Sequence, residues 1–257
     1  MLVCHEVVPI ESHGASRDSI GGSAVLPSLQ EFPHCLCGRR MVLYFQFDIR
    51  DDFGLPIQGD CHFSCFVCPD HNGIPQSYGT TLPSEYWANT HDPHRSEFKS
   101  LKTPRQYASY KLFLHQGAVE QTVHPPDEVL VQRALEFRRL EEQVEEREHP
   151  DRPRVTAMSH DGYLGWSAHD VEVYTGLDLF KVGGHPTRVE HVPSHVCSCG
   201  APMVFLCQVP YPDEVFKLVS GSTYKEAHNG LFLNNLVHFF VCQRQCHPNA
   251  VHASVDG

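Results

Sequence analysis

A chain of 257 residues is long enough to bury a sizeable core, as one large domain or two of ordinary size. Its formal net charge of -11 argues against a nucleic-acid backbone or an anionic membrane surface as the natural partner and favours a basic one, although 19 histidines charge just below neutral pH. The 11 cysteines are many for this length. Met1-Leu2-Val3-Cys4-His5-Glu6 has no basic region and no sustained apolar run, and no stretch approaches the ~20 apolar residues of a membrane span. The expectation is a cytosolic chain, in which clustered cysteines read as metal ligands before disulfides.

Residues 11–30, rich in Ser, Gly and polar side chains, read as a loop or loosely held arm. Met41 to Phe47 is a short apolar run of aromatic and branched residues, expected as a strand buried on both faces, and His62 to Cys68 as a second strand. Residues 69–106 carry many prolines and glycines around the one bulky anchor Tyr86-Trp87. That is long for a loop, so part of it is expected to order against the core. Ala108 to His115 reads as another strand. Pro125-Pro126 and Asp127 then open one long helix, running to about Arg147, with Leu130, Ala134, Phe137, Leu140 and Val144 as its apolar stripe. His149-Pro150-Asp151-Arg152-Pro153 stops it and offers a boundary between halves 1–150 and 151–257, either as two domains or as two lobes of one. Val171 to Tyr174, Pro202 to Val209, Val215 to Val219 and Leu231 to Cys242 are the strand candidates of the second half.

The two halves repeat one another. Gly21-Gly22, Cys35-x-Cys37-Gly38, Met41-Val42 and Gln46 recur as Gly183-Gly184, Cys197-x-Cys199-Gly200, Met203-Val204 and Gln208, at a constant spacing of 162 (183 − 21). Each copy runs on to Phe-Val-Cys, at Phe66-Val67-Cys68 and Phe240-Val241-Cys242, where the spacing has grown to 174 (242 − 68). The chain is an internal duplication with a cysteine site in each half.

Zinc takes four ligands in a tetrahedron, usually as two close pairs on separate turns. Cys197-x-Cys199-Gly200 is one such pair, its glycine permitting a tight turn, and Cys242-x-x-x-Cys246 is the other. The first copy supplies Cys35, Cys37 and Cys68. Its fourth ligand is either His71 or Cys65, and the repeat favours His71, because Cys65 aligns with Phe239 at a core strand position, whereas Cys246 lies beyond the tripeptide as His71 does. Free thiols packed as small hydrophobes, or a redox dithiol, are the competing readings. Cys4, Cys61 and Cys207 have no copy and read as thiols without a role.

Four protein ligands leave no position open for water, so such a site holds structure and activates no nucleophile. The chain has no H-E-x-x-H, G-x-S-x-G, P-loop or G-x-G-x-x-G pattern. His191 and His195 flank the second C-x-C, but Pro193 between them argues against a helical metal face. Gln46 and Gln208, ending apolar strands in both halves, must find hydrogen-bond partners, either in neighbouring backbone or as polar lining of a groove between lobes.

With the Gly-Gly turn, the C-x-C-G knuckle, the strand ending in Gln and the Phe-Val-Cys element, residues 20–72 and 181–250 resemble the programmed cell death protein two family and the related bacterial YwqG-like domains. Gly183-Gly184-His185-Pro186 matches that family's Gly-Gly-x-Pro turn, while Gly21-Gly22-Ser23-Ala24 lacks the proline. The resemblance implies a pseudo-twofold, mostly β scaffold with helical insertions, and for eukaryotic members a chaperone role toward a small-subunit ribosomal protein. The expectation from residues and resemblance together is an α+β, mostly β fold with one long helix, stapled by one or two structural zinc ions. It would act as a non-enzymatic protein binder, chaperone- or adaptor-like, for a basic polypeptide. An immunity protein that neutralises a basic toxin fits the charge equally. An enzyme with an inter-lobe cleft, using His160, His185 or His228, is the alternative from a different class.

Overall fold

The computed structural model describes residues 2–12, 14, 16–28, 32–34, 38–68, 80–81, 110–117, 121–124, 129–142, 179–186, 197, 199–210, 215–221, 236–248 and 250–256. In chain order its strands are β1 (Leu2–Glu11), β2 (Ser19–Ile20), β3 (Ala24–Leu26), β4 (Val42–Ile49), β5 (Cys61–Val67), β6 (Thr80–Thr81) and β7 (Tyr110–Gln116). Then follow β8 (Gln121–Val123), β9 (Arg133–Glu142), β10 (Lys181–Gly183), β11 (Met203–Val209), β12 (Leu236–Cys242) and β13 (Val251–Asp256). A 3-10 turn, Asp51–Phe53, follows β4. The small pair β3-β8 stands apart. All other strands form one eleven-stranded sheet, in the order β6-β13-β12-β11-β10-β1-β9-β2-β4-β5-β7, curled into a nearly closed barrel.

The fold is therefore nearly all sheet and not α+β with a long helix. The segment expected as that helix carries β9, paired antiparallel with β1 over ten consecutive positions from Leu2↔Glu142 to Glu11↔Arg133. Its spacing of Leu130, Ala134, Phe137 and Leu140 fits a helix. Leu135 and Phe137, two apart, fit a strand equally well, and within β9 these pack with the barrel core, beside Leu130 just ahead of it. A full-length ladder to a remote strand outweighs the helix propensity of Glu, Arg and Leu, which amounts to only tenths of a kcal/mol per residue.

The duplication is visible in the topology. Ser19 and Ile20 of β2 pair with Gln46 and Phe45, and their copies Lys181 and Val182 of β10 pair with Gln208 and Cys207. The same bulge recurs, between Leu43 and Phe45 against β5 and between Phe205 and Cys207 against β12. The central strands β1 and β9 are exchanged between the copies. His5 and Glu6 of β1 pair with Val182 and Lys181, while Arg133 and Ala134 of β9 pair with Ile20 and Ser19. Val7 N donates to Phe180 O at 2.7 Å, and Leu135 N to Asp18 O at 2.9 Å, in the same relation. Each copy's leading strand thus sits in the other copy's sheet. The pair Val8↔Glu136 maps onto itself and marks the pseudo-twofold axis.

Alternation sorts the side chains onto two faces. Phe45, Phe47, Phe63, Cys65, Phe239 and Cys207 fill the interior with neighbours from every long strand. Phe45 contacts Phe63 at 5.5 Å, Phe180 at 5.5 Å and Phe239 at 5.6 Å between ring centroids. A smaller outer cluster joins Met41, Leu43, Phe66 and Cys68 to Leu26 and Phe32.

Residues 16–26, within the stretch read as a loose arm, are held as β2 and β3, and the Gly-Gly turn between them explains its recurrence. Gly21 and Gly183 have φ of 58° and 72°. A Cβ on Gly21 would lie 2.9 Å from Leu130 Cβ, and one on Gly183 3.0 Å from Phe53 O, so no other residue fits. Val215 to Val219 is no strand, although Leu218 bridges Leu130. Thr80 and Thr81 pair with Val255 and Ser254, so part of the long 69–106 segment does order on the sheet. Val171–Tyr174, Val144, Tyr86-Trp87, the start of the expected helix at Asp127 and the 150/151 boundary lie outside the described residues. Among the described residues no helix is long and apolar enough to cross a membrane.

Candidate metal centre

Two tight turns carry the second-copy cysteines. In the first, Gly200 N donates to Cys197 O at 2.8 Å and Cys197 N to Ala201 O at 2.9 Å; Gly200, at φ 80°, makes the reversal. In the second, Gln245 N donates to Cys242 O at 2.9 Å, with Gln245 itself at φ 50°. Gln243 N to Pro202 O at 3.0 Å ties one turn to the other. The sulfurs of Cys197, Cys199, Cys242 and Cys246 all lie within 4.8 Å of one another.

Cys197 Sγ is 3.4 Å from Cys246 Sγ, and Cys199 Sγ is 3.6 Å from Cys242 Sγ. A disulfide would need about 2.0 Å, so the four are free thiols. A zinc tetrahedron with ~2.3 Å bonds has edges of about 3.7 Å, close to both separations. The cluster could hold a metal ion, with Cys197 and Cys242 buried beneath Cys199 and Cys246 at the surface.

The thiols do not ionise alike. The Ala201 backbone, against some burial and with help from the three neighbouring sulfurs, holds Cys199 down to about 7. Burial first, and then Cys197, Cys199 and Cys242, push Cys246 far above the ordinary range. Four sulfurs this close cannot all shed their protons unless a cation replaces them, which is the chemistry a metal supplies.

Of the first-copy candidates, Cys35, Cys37 and His71 lie outside the described residues. Gly38 has φ 86°, matching Gly200. Cys68 and Cys65 face opposite ways: Cys68 packs in the outer cluster beside Met41 and Phe66, and Cys65 in the barrel interior beside Phe45 and Phe63. Burial raises the Cys65 and Cys207 thiols well above the usual value, as befits packed hydrophobes. Cys4 and Cys61 are also buried.

The buried glutamines tie strand to backbone. Gln46 Oε1 accepts from Val25 N at 2.9 Å, and its Nε2 donates to Ser19 Oγ at 3.1 Å, Ser23 O at 3.0 Å and Ser16 O at 3.2 Å. Gln208 Nε2 donates to Leu179 O at 3.1 Å. Beside Gln46 runs an ionic network absent from the sequence reading. Arg17 grips Asp48 through Nε at 2.6 Å and a second guanidinium nitrogen at 2.8 Å, and His62 Nδ1 meets the same carboxylate at 2.8 Å. Burial alone would raise the Asp48 carboxyl, but the His62 and Arg17 contacts outweigh it and hold it well below the carboxylate range. Strict polar alternation at 46, 48, 62 and 64 within apolar strands was the available signal.

Of the histidines weighed for an enzyme, His160 and His228 lie outside the described residues, as do His191 and His195; His185 Nδ1 sits 2.8 Å from Pro186 O. A cavity of about 270 Å³ lies between β7 and the second cysteine turn, walled by His115, Gln116, Gln245, Cys246 and His247, with no carboxylate. Neither a family model nor a curated protein matches the chain.

Proposed function

We propose that the protein is a zinc-stapled, non-enzymatic binder of another polypeptide, chaperone- or adaptor-like in the manner of the family its repeats resemble. The observation that carries this reading is the four-thiol cluster itself: every coordination position of a tetrahedral ion is met by protein sulfur, leaving none for a substrate or a water. The barrel interior adds support, being packed with phenylalanine rings. Thiolate ligands in a tetrahedral set select zinc over harder cations. The proposed second ion belongs to Cys35, Cys37 and Cys68 with His71. The partner, by charge, is basic.

Two measurements test this. Metal analysis of the purified chain is expected to return zinc at one ion per chain, or two with the first-copy site filled, and Cys242→Ala to remove one. Affinity capture at low salt, read by mass spectrometry, is expected to enrich polypeptides with basic segments that leave at high salt. A metal-free protein sinks the first half of the proposal. Capture of no polypeptide, or of acidic ones alone, sinks the second.

A further inference from the structure

Every neighbouring pair in the order from β6 to β7 is joined by a backbone ladder. The barrel's remaining joint, where β7 meets β13, is different in kind. The two strands approach each other at a few positions only, with no ladder between them among the described residues. The joint is bridged instead by the turn that carries Cys246. Leu114 N of β7 donates to Pro248 O at 2.7 Å. Gln116 Nε2 donates to Gln245 Oε1 at 2.7 Å and to Gln245 O at 3.1 Å. Gln245 Nε2 reaches Gln58 O, just before β5, at 2.9 Å. Both residues that the turn contributes, Gln245 and Pro248, lie within two positions of one metal ligand, Cys246.

We infer that the four-cysteine cluster is the clasp of the barrel: a bound ion fixes the 243–248 turn, and the turn in turn holds β7 against the second copy. The inference rests on the metal reading above and adds what the ion controls. With the ion gone, the hydrogen bonds from Gln245 N to Cys242 O, from Gln243 N to Pro202 O and from Ala250 N to His247 O still shape the turn, but none of these three crosses the joint. The turn's hold on Cys197 and Cys199 is then lost, and the bridge to β7 depends on two glutamine side chains and one backbone bond. Local opening begins where few hydrogen bonds are shared, and here that is the one joint without a ladder. Cys199 and Cys246 are exposed, so a chelator reaches the ion without unfolding the chain.

Hydrogen–deuterium exchange on the intact chain tests the clasp, run on zinc-loaded protein, after chelation and after zinc is restored, with metal content measured each time. The expected result is roughly tenfold or faster exchange at Leu114 and across 243–248 after chelation, reversed by zinc, while the β1–β9 and β4–β5 ladders keep their protection. Unchanged protection of Leu114 in protein shown to have lost its ion overturns the inference. So does loss of protection in every ladder at once, since the ion would then hold the whole fold and not the joint. A chain that never carries metal is a separate failure, that of the metal reading, and the metal assay alone reveals it. Gln245→Gly, which suits the positive φ and removes only the side-chain bridges, is expected to keep its zinc and to speed exchange at Leu114. Zinc retained with Leu114 unchanged also counts against the clasp.

Discussion

His115 shows how one side chain can set an acid limit on the fold. It is 4% exposed, stacks on Phe113 at 5.3 Å between centroids, and its buried Nε2 has no hydrogen-bond partner among the described residues. Burial first, and then the neighbouring His62, lower its value from the ordinary 6.5 to about 4. Folding therefore favours the neutral ring. The stabilisation is complete above the unfolded value and is lost as pH falls from there toward the folded one. His115→Phe keeps the stack and removes the titration. Denaturant unfolding is expected to show a smaller loss between neutral pH and about pH 5 than in the unaltered chain, by on the order of 1–2 kcal/mol. Equal losses in both proteins would place the acid sensitivity elsewhere. Gln46 makes the complementary point, since a polar group in a wholly buried strand position is accommodated when all its hydrogen-bond capacity is met.

At the scale of the strands, the two copies have diverged in compensation. Phe45 pairs with Cys65 in the first copy, whereas Cys207 pairs with Phe239 in the second, so large and small residues have traded places. The exchange puts Phe45 against Phe239 and leaves Cys65 close enough to add to the upward push that burial gives the Cys207 thiol. Cys65→Phe alone is expected to overfill the interior and cost about 1–3 kcal/mol, and Phe239→Cys alone to leave a void of similar cost. Combined, they return the volume, and chemical denaturation is expected to find the double variant more stable than the sum of the singles. Strict additivity would show that the two positions do not share one packed space. The interior strands were legible beforehand because apolar runs between turn residues carry their own signature: β4, β5, β7, β11 and β12 all fall within a few residues of their expected places. The pair β1 and β9 was not. Leu2–Glu11 mixes His, Glu and Pro with its valines, and Arg133–Glu142 is built of helix formers. Their strand character comes from each other, and no window of local sequence contains both.

For the whole molecule the same point holds more strongly. The cysteine cluster was legible because a C-x-C-G motif recurring at one spacing is a local pattern repeated, and the internal duplication followed from it. The exchange of leading strands was not, because it depends on which copy each strand joins. That exchange binds the halves together. Residues 151–257 made alone lack β1, the partner of β10, and leave Val237, Phe239 and Val241 without the facing side of the core. They are expected to aggregate, and to elute as a folded species by size exclusion only when co-produced with residues 1–150. A cooperative, monomeric 151–257 fragment would show that the strand exchange is dispensable.

The position of β1 between β9 and β10 also has a consequence for synthesis. This strand is translated first of the three, yet neither flank exists until residues 133–142 and then 181–183 have followed. At a translation rate of roughly 5–20 residues per second, that is a wait on the order of ten seconds or more. Throughout it both edges of β1 lack the strands they pair with, and the ring cannot shut until the second of them has left the ribosome.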